Sequence, residues 1–491
     1  MREPSRKPTG RSAERGGHEP VTKRRHPVTT LPKCLTTILL SLTSSTPSDA
    51  ARVTQRCASH TRSRDMVTTP NGLSRRTLLA ILGSAAVTAP LLSACGGNDG
   101  GTGGGSGGSG GSGGLSQWFH QYGEEGVEDA VKKWAAAYTA SKITVNWVLG
   151  DYAPKLQSRL TAGSGVDLFE NNAIDVASAR AGQYADLTDI MEPVKAQFSE
   201  TSLKVVTIDG KIYGIPMISD PQLIFYRPSM LQKAGIAEPK TFDDLIAAGI
   251  ELTGGNQKGL WLGNDGGAGV IKSAAAASGG GLLSDGDTKV NFATADVASA
   301  LTKLKEANDK QAVLLGSPTD WWDATSFNAG LAAITWQGMW AVPTMVKALG
   351  DDVAAMPVPA FGSGKPVVMV SGWNMQVAAK ASDVDAAKAA AKAQWIDDTK
   401  FQTSFSVDFG FHIPPQTSVA SATTQLGSGP AKTCVDAATQ YGYAAGPFWT
   451  PAMETAFNDA AVKIITSGAD ATSTLQAAAQ TAQQTLDSLA K

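Results

Sequence analysis

The stretch Leu115-Ser116-Gln117-Trp118-Phe119-His120-Gln121-Tyr122-Gly123-Glu124, continued through Val166-Asp167-Leu168-Phe169-Glu170-Asn171-Asn172, decides the fold. Residues 115–119 read as a strand. Residues 127–141 read as a helix, with Val127, Ala130, Val131, Trp134 and Tyr138 on one face. A strand over 143–149, a helix over 152–162 and a third strand over 166–169 follow. Repeated strand, helix, strand predicts a mainly parallel sheet with helices on both faces, hence an α/β class. Ligands of such sheets sit outside the carboxyl ends of the strands. Those ends here carry Trp118, His120, Gln121, Tyr122 and Glu124, then Glu170, Asn171 and Asn172.

Further along, 205–208, Asp209-Gly210 and 211–215 give a hairpin signal with a type I′ dipeptide. Residues 223–226 predict a strand, 230–235 a helix closed by glycine, and Thr241-Phe242-Asp243-Asp244 a helix start with Thr241 as N-cap. Helices are expected over 297–311, 386–405 and 471–489, and strands over 332–336, 367–370 and 374–378. About 375 residues of apolar-periodic body exceed what one core usually holds, so two lobes are expected.

Upstream, residues 78–92 are an apolar run preceded by Arg75 and Arg76 and ending in Leu92-Ser93-Ala94-Cys95. A charged n-region, a short h-region and a small-residue cleavage site predict an export signal over 66–94, too short for a membrane span. The ending resembles a lipobox, which makes Cys95 the lipidation site and the new N-terminus. Ser74-Arg75-Arg76-Thr77-Leu78-Leu79 also resembles a twin-arginine signal. Residues 1–65 lack periodicity and read as a non-structural extension, with Met66 as the expected start. Residues 95–114 form a lipidated cysteine followed by a Gly/Ser tether with a reach of about 20–30 Å.

Charge is unevenly divided. Of 42 Lys+Arg and 44 Asp+Glu, residues 1–94 hold 15 and 5, leaving 27 against 39 from Cys95 onward. The acidic body argues against nucleic acid as a partner. Cys34 and Cys57 precede Cys95, so Cys434 stands alone in the body and no internal disulfide or cysteine metal site is expected. His18, His26 and His60 lie upstream and only His120 and His412 in the body, a poor basis for zinc. No cofactor is expected.

In order and spacing, several pieces together resemble extracellular solute-binding proteins of family 1, the maltose-binding-protein-like sugar receptors of ABC importers. They are the opening stretch, Asp209-Gly210-Lys211-Ile212-Tyr213-Gly214-Ile215-Pro216, Leu223-Ile224-Phe225-Tyr226-Arg227, Phe327-Asn328-Ala329-Gly330-Leu331-Ala332-Ala333-Ile334, Gln337-Gly338-Met339-Trp340 and Ser371-Gly372-Trp373-Asn374. The resemblance implies a two-lobed, periplasmic-binding-protein-like type II fold whose chain crosses a hinge three times. Lobe 1 would take 115–224 plus 372–425, and lobe 2 would take 225–371 plus 426–491. It implies hinge closure on a carbohydrate, delivery to membrane permease subunits, anchoring through Cys95, and a monomer without catalysis.

A sugar site needs aromatic platforms for C–H faces and planar or charged groups for hydroxyls. Trp118, Trp322, Trp336, Trp340, Trp373 and Trp449 stand beside polar groups at strand-to-loop junctions and are candidates, with Trp340 and Trp373 at positions that the resemblance places in the cleft. Trp134, Trp147 and Trp395 have apolar neighbours and are assigned to the core. The polar candidates are Tyr122, Glu124, Glu170, Asn171, Asp220, Gly372 and Asn374, with Asn264 and Asp265 near Trp261 as further ones. A glycosidase with paired carboxylates is the main rival reading, and a receptor for another polar solute such as a polyol or glycerol phosphate is the alternative within the same fold. The body carries no GxSxG, HExxH or P-loop motif.

Overall fold

The structure is a computed structural model that describes residues 114–278, 281–284, 286–362 and 364–489, all within the unit Gly105–Lys491. The export signal, Cys95 and the tether up to residue 113 lie outside the described residues.

Strand β1 (Leu115–His120) pairs in parallel with β2 (Ile143–Val148) along its whole length and with β3 (Leu168–Asn171) on its other side. Helices Val127–Ala137 and Tyr152–Ala162 make the crossovers. The expected parallel order ends there. β14 (Asn374–Val377) runs antiparallel to β3, and β6 (Ile215–Pro216) runs antiparallel to β14. The sheet is therefore mixed, because β14 returns from the other sheet and enters at the edge where the parallel strands end. The 205–215 hairpin forms between β4 (Thr207–Ile208) and β5 (Lys211–Ile212), with Asp209 and Gly210 at φ 52° and 78°, as a type I′ turn requires.

The second sheet is built around β7 (Asp220–Tyr226). β7 pairs antiparallel with β11 (Ala332–Gly338) on one side, and with β13 (Val368–Ser371) and β12 (Ala354–Met356) on the other. β8 (Lys258–Trp261) and β15 (Gly442–Tyr443) extend the two edges, and β9 (Leu283–Ser284) with β10 (Lys289–Val290) forms a separate ribbon. Both faces of β7 are covered. Leu223 and Phe225 enter a cluster with Phe327, Met339, Val368 and Cys434. Ile224 and Tyr226 enter another with Phe242, Leu260, Ile334 and Phe457. Each such side chain contributes about 1.5–3 kcal/mol by leaving water. The first sheet has its own core of Phe119, Leu168, Phe169, Ile215, Met375, Trp395 and Phe405, with Trp134 and Trp147 packed at its rim.

Thr241 caps helix Phe242–Glu251 in a reciprocal capping box with Asp244. The helix expected over 386–405 is two helices, Val384–Lys392 and Thr399–Val407, separated by a π-turn at Ala393–Asp397. Asp398 starts the second by accepting from the Phe401 N–H.

These sheets are the two lobes of a type II periplasmic-binding-protein fold, and we propose that three segments join them. The first runs from β6 to Asp220, the second from β13 to β14, and the third through residues 423–428 into helix Gly429–Tyr441. The Met217 N–H donates to the Trp373 carbonyl at 2.8 Å, and Ser219 and Ile413 exchange backbone hydrogen bonds at 2.9 Å. A Cβ on Gly372 would stand 2.1 Å from the Ile218 carbonyl oxygen, so only glycine permits this approach of two connecting segments. β7 belongs to the second sheet from Asp220 onward, so the first lobe junction that we propose is 217–219 rather than 224/225.

Candidate functional site

The carboxyl ends of β1 and β3, the start of β14, the start of β7 and the end of β11 all open on one interlobe cleft of about 650 Å³. Its first-lobe wall presents His120, Tyr122, Gly123, Glu124 and Asn172. Its floor is Ile218, Asp220, Ser371, Gly372, Trp373 and His412. Its second-lobe wall includes Trp321, Trp322, Asp323 and Trp340. No lysine or arginine lines it among the described residues.

The second-lobe wall is an indole cluster. Trp321 lies 5.0 Å from Trp336 and 5.9 Å from Trp340 between ring centroids, and Trp340 Nε1–H donates to the Trp322 carbonyl at 3.0 Å. Gln337 Nε2 donates to the Asp323 carbonyl at 3.2 Å, tying this loop to β11. Trp322 is 56% exposed, unusual for so large an apolar ring unless something covers it. Trp340 lies over Gly338, where a Cβ would come 1.9 Å from its Cζ3.

The floor carries an ion cluster. His412 Nδ1 stands 2.5 Å from Asp220 Oδ1 and its Nε2 3.5 Å from Glu124 Oε1. Burial opposes a charge on His412, but the two carboxylates overcome it and push its pKa up to about 10. Burial likewise opposes ionisation of Glu124, and hydrogen bonding and attraction to His412 win, holding its carboxyl below the usual range. Two carboxylates flank one imidazolium, so the cluster is net negative.

Behind the first-lobe wall, Glu170 is fully buried. Its Oε1 accepts from the His120 backbone N–H at 2.7 Å and meets His120 Nδ1 at 2.5 Å, and its Oε2 accepts from Tyr122 O–H at 2.7 Å. Burial and the Glu170 charge push the Tyr122 hydroxyl pKa well above its usual value. His120 stacks on Trp373 at 3.8 Å and 13°.

The cleft thus gathers seven of the sequence candidates: Tyr122, Glu124, Asp220, Trp322, Trp340, Gly372 and Trp373. Eight stand elsewhere. Trp118 turns from the carboxyl edge, donating from Nε1 to Ser116 Oγ and the Gly165 carbonyl, both at 3.1 Å. Glu170 is behind the wall. Asn171 is a β3 ladder residue whose carbonyl accepts from Asn374 Nδ2 at 3.3 Å, and Asn374 is itself buried. Trp336 is 3% exposed and packs in the second-lobe core behind Trp321. Trp449 donates to Glu454 Oε2 at 2.6 Å and meets Phe292 edge to face. Asn264 and Asp265 brace loops, Asn264 against Ser317 and Asp320, Asp265 through the Gly267 and Ala268 N–H groups. The candidate set omitted His120, Asn172, Trp321, Asp323 and His412. His120 and Trp321 were adjacent to candidates and legible as such. His412 had no local signal, since its place on the floor comes from the pairing of Ile413 with Ser219, far away in sequence.

The family described as bacterial extracellular solute-binding protein matches residues 123–393. The arabinooligosaccharide-binding protein of Bacillus subtilis is 27% identical over 279 residues, which cover 51% of this chain and 61% of that protein. The diacetylchitobiose binding protein DasA of Streptomyces coelicolor is 30% identical over 261 residues, covering 48% and 57%. Both alignments thus span less than two thirds of those proteins' own length. Among solved structures, the GacH receptor of Streptomyces glaucescens aligns with a TM-score of 0.65 at 20% identity, covering 76% of this chain and 98% of that one. The cyclic alpha-maltosyl-1,6-maltose binding protein from Arthrobacter globiformis aligns with a TM-score of 0.63 at 20% identity, covering 76% and 99%. At such identity these structures speak for the fold.

Proposed function

The chain belongs to the bacterial extracellular solute-binding protein family, and from that premise we propose that it captures a neutral di- or oligosaccharide between its lobes and delivers it to an ABC permease. The observation that carries this reading is the chemistry of the cleft walls: indoles on one side, a His120–Trp373 stack on the other, and carboxylates between them. Ring faces of a sugar stack on indole, and carboxylates accept from its hydroxyls. Three cleft carboxylates with no lysine or arginine disfavour uronates and sugar phosphates. The names of the two relatives given above, one arabinooligosaccharide-binding and one diacetylchitobiose binding, support the same class.

The reading includes export, with Cys95 lipidated and the Gly/Ser segment as a tether that leaves the body free to capture ligand and to dock. It includes no catalysis. Glu124 and Asp220 are both engaged by one imidazole rather than free to flank a glycosidic bond.

Thermal-shift screening of the protein against mono-, di- and oligosaccharides tests it. A ligand at 100 times its Kd adds about 2.7 kcal/mol to stability. A panel of neutral saccharides that leaves the transition unmoved, or that is cleaved on incubation, would overturn the reading.

A further inference from the structure

We propose that His120 reads one ligand hydroxyl through Nε2, and that Glu170, out of ligand reach, is the positioning residue that decides which ring nitrogen the cleft sees. The inference rests on the saccharide reading of the cleft and names the group within it that makes a directional contact.

A carboxylate only accepts, so the short contact between His120 Nδ1 and Glu170 Oε1 puts the hydrogen on Nδ1. The same oxygen takes the His120 backbone N–H, fixing the root of the side chain as well as its ring. The other carboxylate oxygen is occupied by Tyr122, and the Glu170 backbone carbonyl by Tyr152 O–H at 2.7 Å. Glu170 therefore has no freedom to turn into the cleft.

The ring plane is fixed separately. Trp373 stacks on it at 3.8 Å, and Tyr122 lies 4.1 Å away at 40°. His120 lines the cleft with a fifth of its side chain exposed, while Nε2 has no hydrogen-bond partner among the described residues. With Nδ1 held by Glu170, Nε2 is the ring nitrogen left to the cleft, and it can make one hydrogen bond, in the ring plane.

That makes it unlike the other polar groups here. Glu124, Asp220 and Asp323 each offer oxygens with several lone-pair directions, and the indoles offer faces. A single in-plane nitrogen, held by a buried carboxylate and two rings, distinguishes a hydroxyl at one ring position from the same position deoxygenated. Preorganisation strengthens the discrimination, because the imidazole loses no rotamer freedom on binding.

Two substitutions test this, His120→Asn and Glu170→Gln, with calorimetric titration of the saccharide that the panel finds for wild-type protein. Asparagine places an amide N–H near the former Nδ1 position, so it can still satisfy Glu170 while Nε2 is deleted. Affinity should fall about 10- to 100-fold, the loss of one directional hydrogen bond plus part of the stack. The unfolding midpoint should move much less. In Glu170→Gln the neutral amide holds the ring less firmly. The low-field Nδ1–H proton resonance of His120 should disappear and affinity should fall about 3- to 10-fold. A merely structural glutamate would shift stability and leave that resonance and the affinity of the folded fraction alone. If His120→Asn binds the sugar as tightly as wild type, the role of His120 is overturned while the saccharide reading stands. If wild type binds no saccharide, both fall together.

Discussion

Replacing His412 with glutamine removes the only cation from a buried cluster and leaves Asp220 and Glu124 facing a neutral amide. Breaking a buried ion pair by removing one partner costs about 3–5 kcal/mol. Titration gives the same scale. A histidine at about 10 in the folded protein and about 6.5 unfolded is worth up to about 5 kcal/mol at 1.36 kcal/mol per unit. The sign fixes the pH window. The folded pKa is raised, so the contribution of His412 is complete below about 6.5 and declines as pH rises towards about 10. The folded pKa of Glu124 is lowered, so its contribution is present above its ordinary 4.5 and is lost as pH falls through the folded value. The cluster therefore stabilises most between about 4.5 and 6.5. Urea unfolding of ligand-free wild type and His412→Gln at pH 6, 8 and 10 is the assay. The stability gap should be largest at pH 6 and nearly closed at pH 10. A gap that stays constant from pH 6 to 10 would refute the ion cluster, and with it the account of what holds the cleft floor.

Trp340→Ala should weaken saccharide binding by about 2–4 kcal/mol in calorimetry, with a smaller change in the unfolding of the ligand-free protein. Equal affinity in the variant would remove this platform from the site. Gly338→Ala should resemble it in binding, because the added Cβ would sit 1.9 Å from Trp340 Cζ3 and the ring must leave its place, whereas the backbone at φ −82° tolerates alanine. Tryptophan fluorescence that matches wild type would show that the ring had not moved. Cys95→Ser should release a soluble secreted body that binds the same sugar, read by membrane fractionation and titration. A wild-type protein found free of lipid would refute the anchor.

Strand and helix positions were legible because they follow from periodicity and turn chemistry: Asp209-Gly210 can hardly serve other than as a tight turn, and Thr241 with Asp244 marks a helix start. The direction of β14 and the antiparallel pairing of β7 with its neighbours were not legible. Direction depends on where a strand returns from, and hydropathy carries no record of that. The division of the helix expected over 386–405 was also hidden. Its apolar pattern runs on through the π-turn, and Asp398 reads as a surface acid until it is seen accepting the Phe401 N–H.

Side-chain direction separates the candidates that reached the cleft from those that did not. Trp118 and His120 stand on β1, two residues apart and so on the same face, yet only His120 reaches the carboxyl edge, while Trp118 bends back to Gly165 at the opposite one. Glu170 and Trp336, which their sequence neighbours suggest as ligand contacts, each instead support a residue that does face the cleft, Glu170 behind His120 and Trp336 behind Trp321. A recognition surface needs such backing, since an aromatic or imidazole ring presented to solvent is held in one orientation only by buried partners. Polar and aromatic residues next to a strand end therefore mark the neighbourhood of the site in sequence. Which of them touch ligand is decided one layer deeper, by hydrogen bonds between residues as far apart as His412 and Asp220.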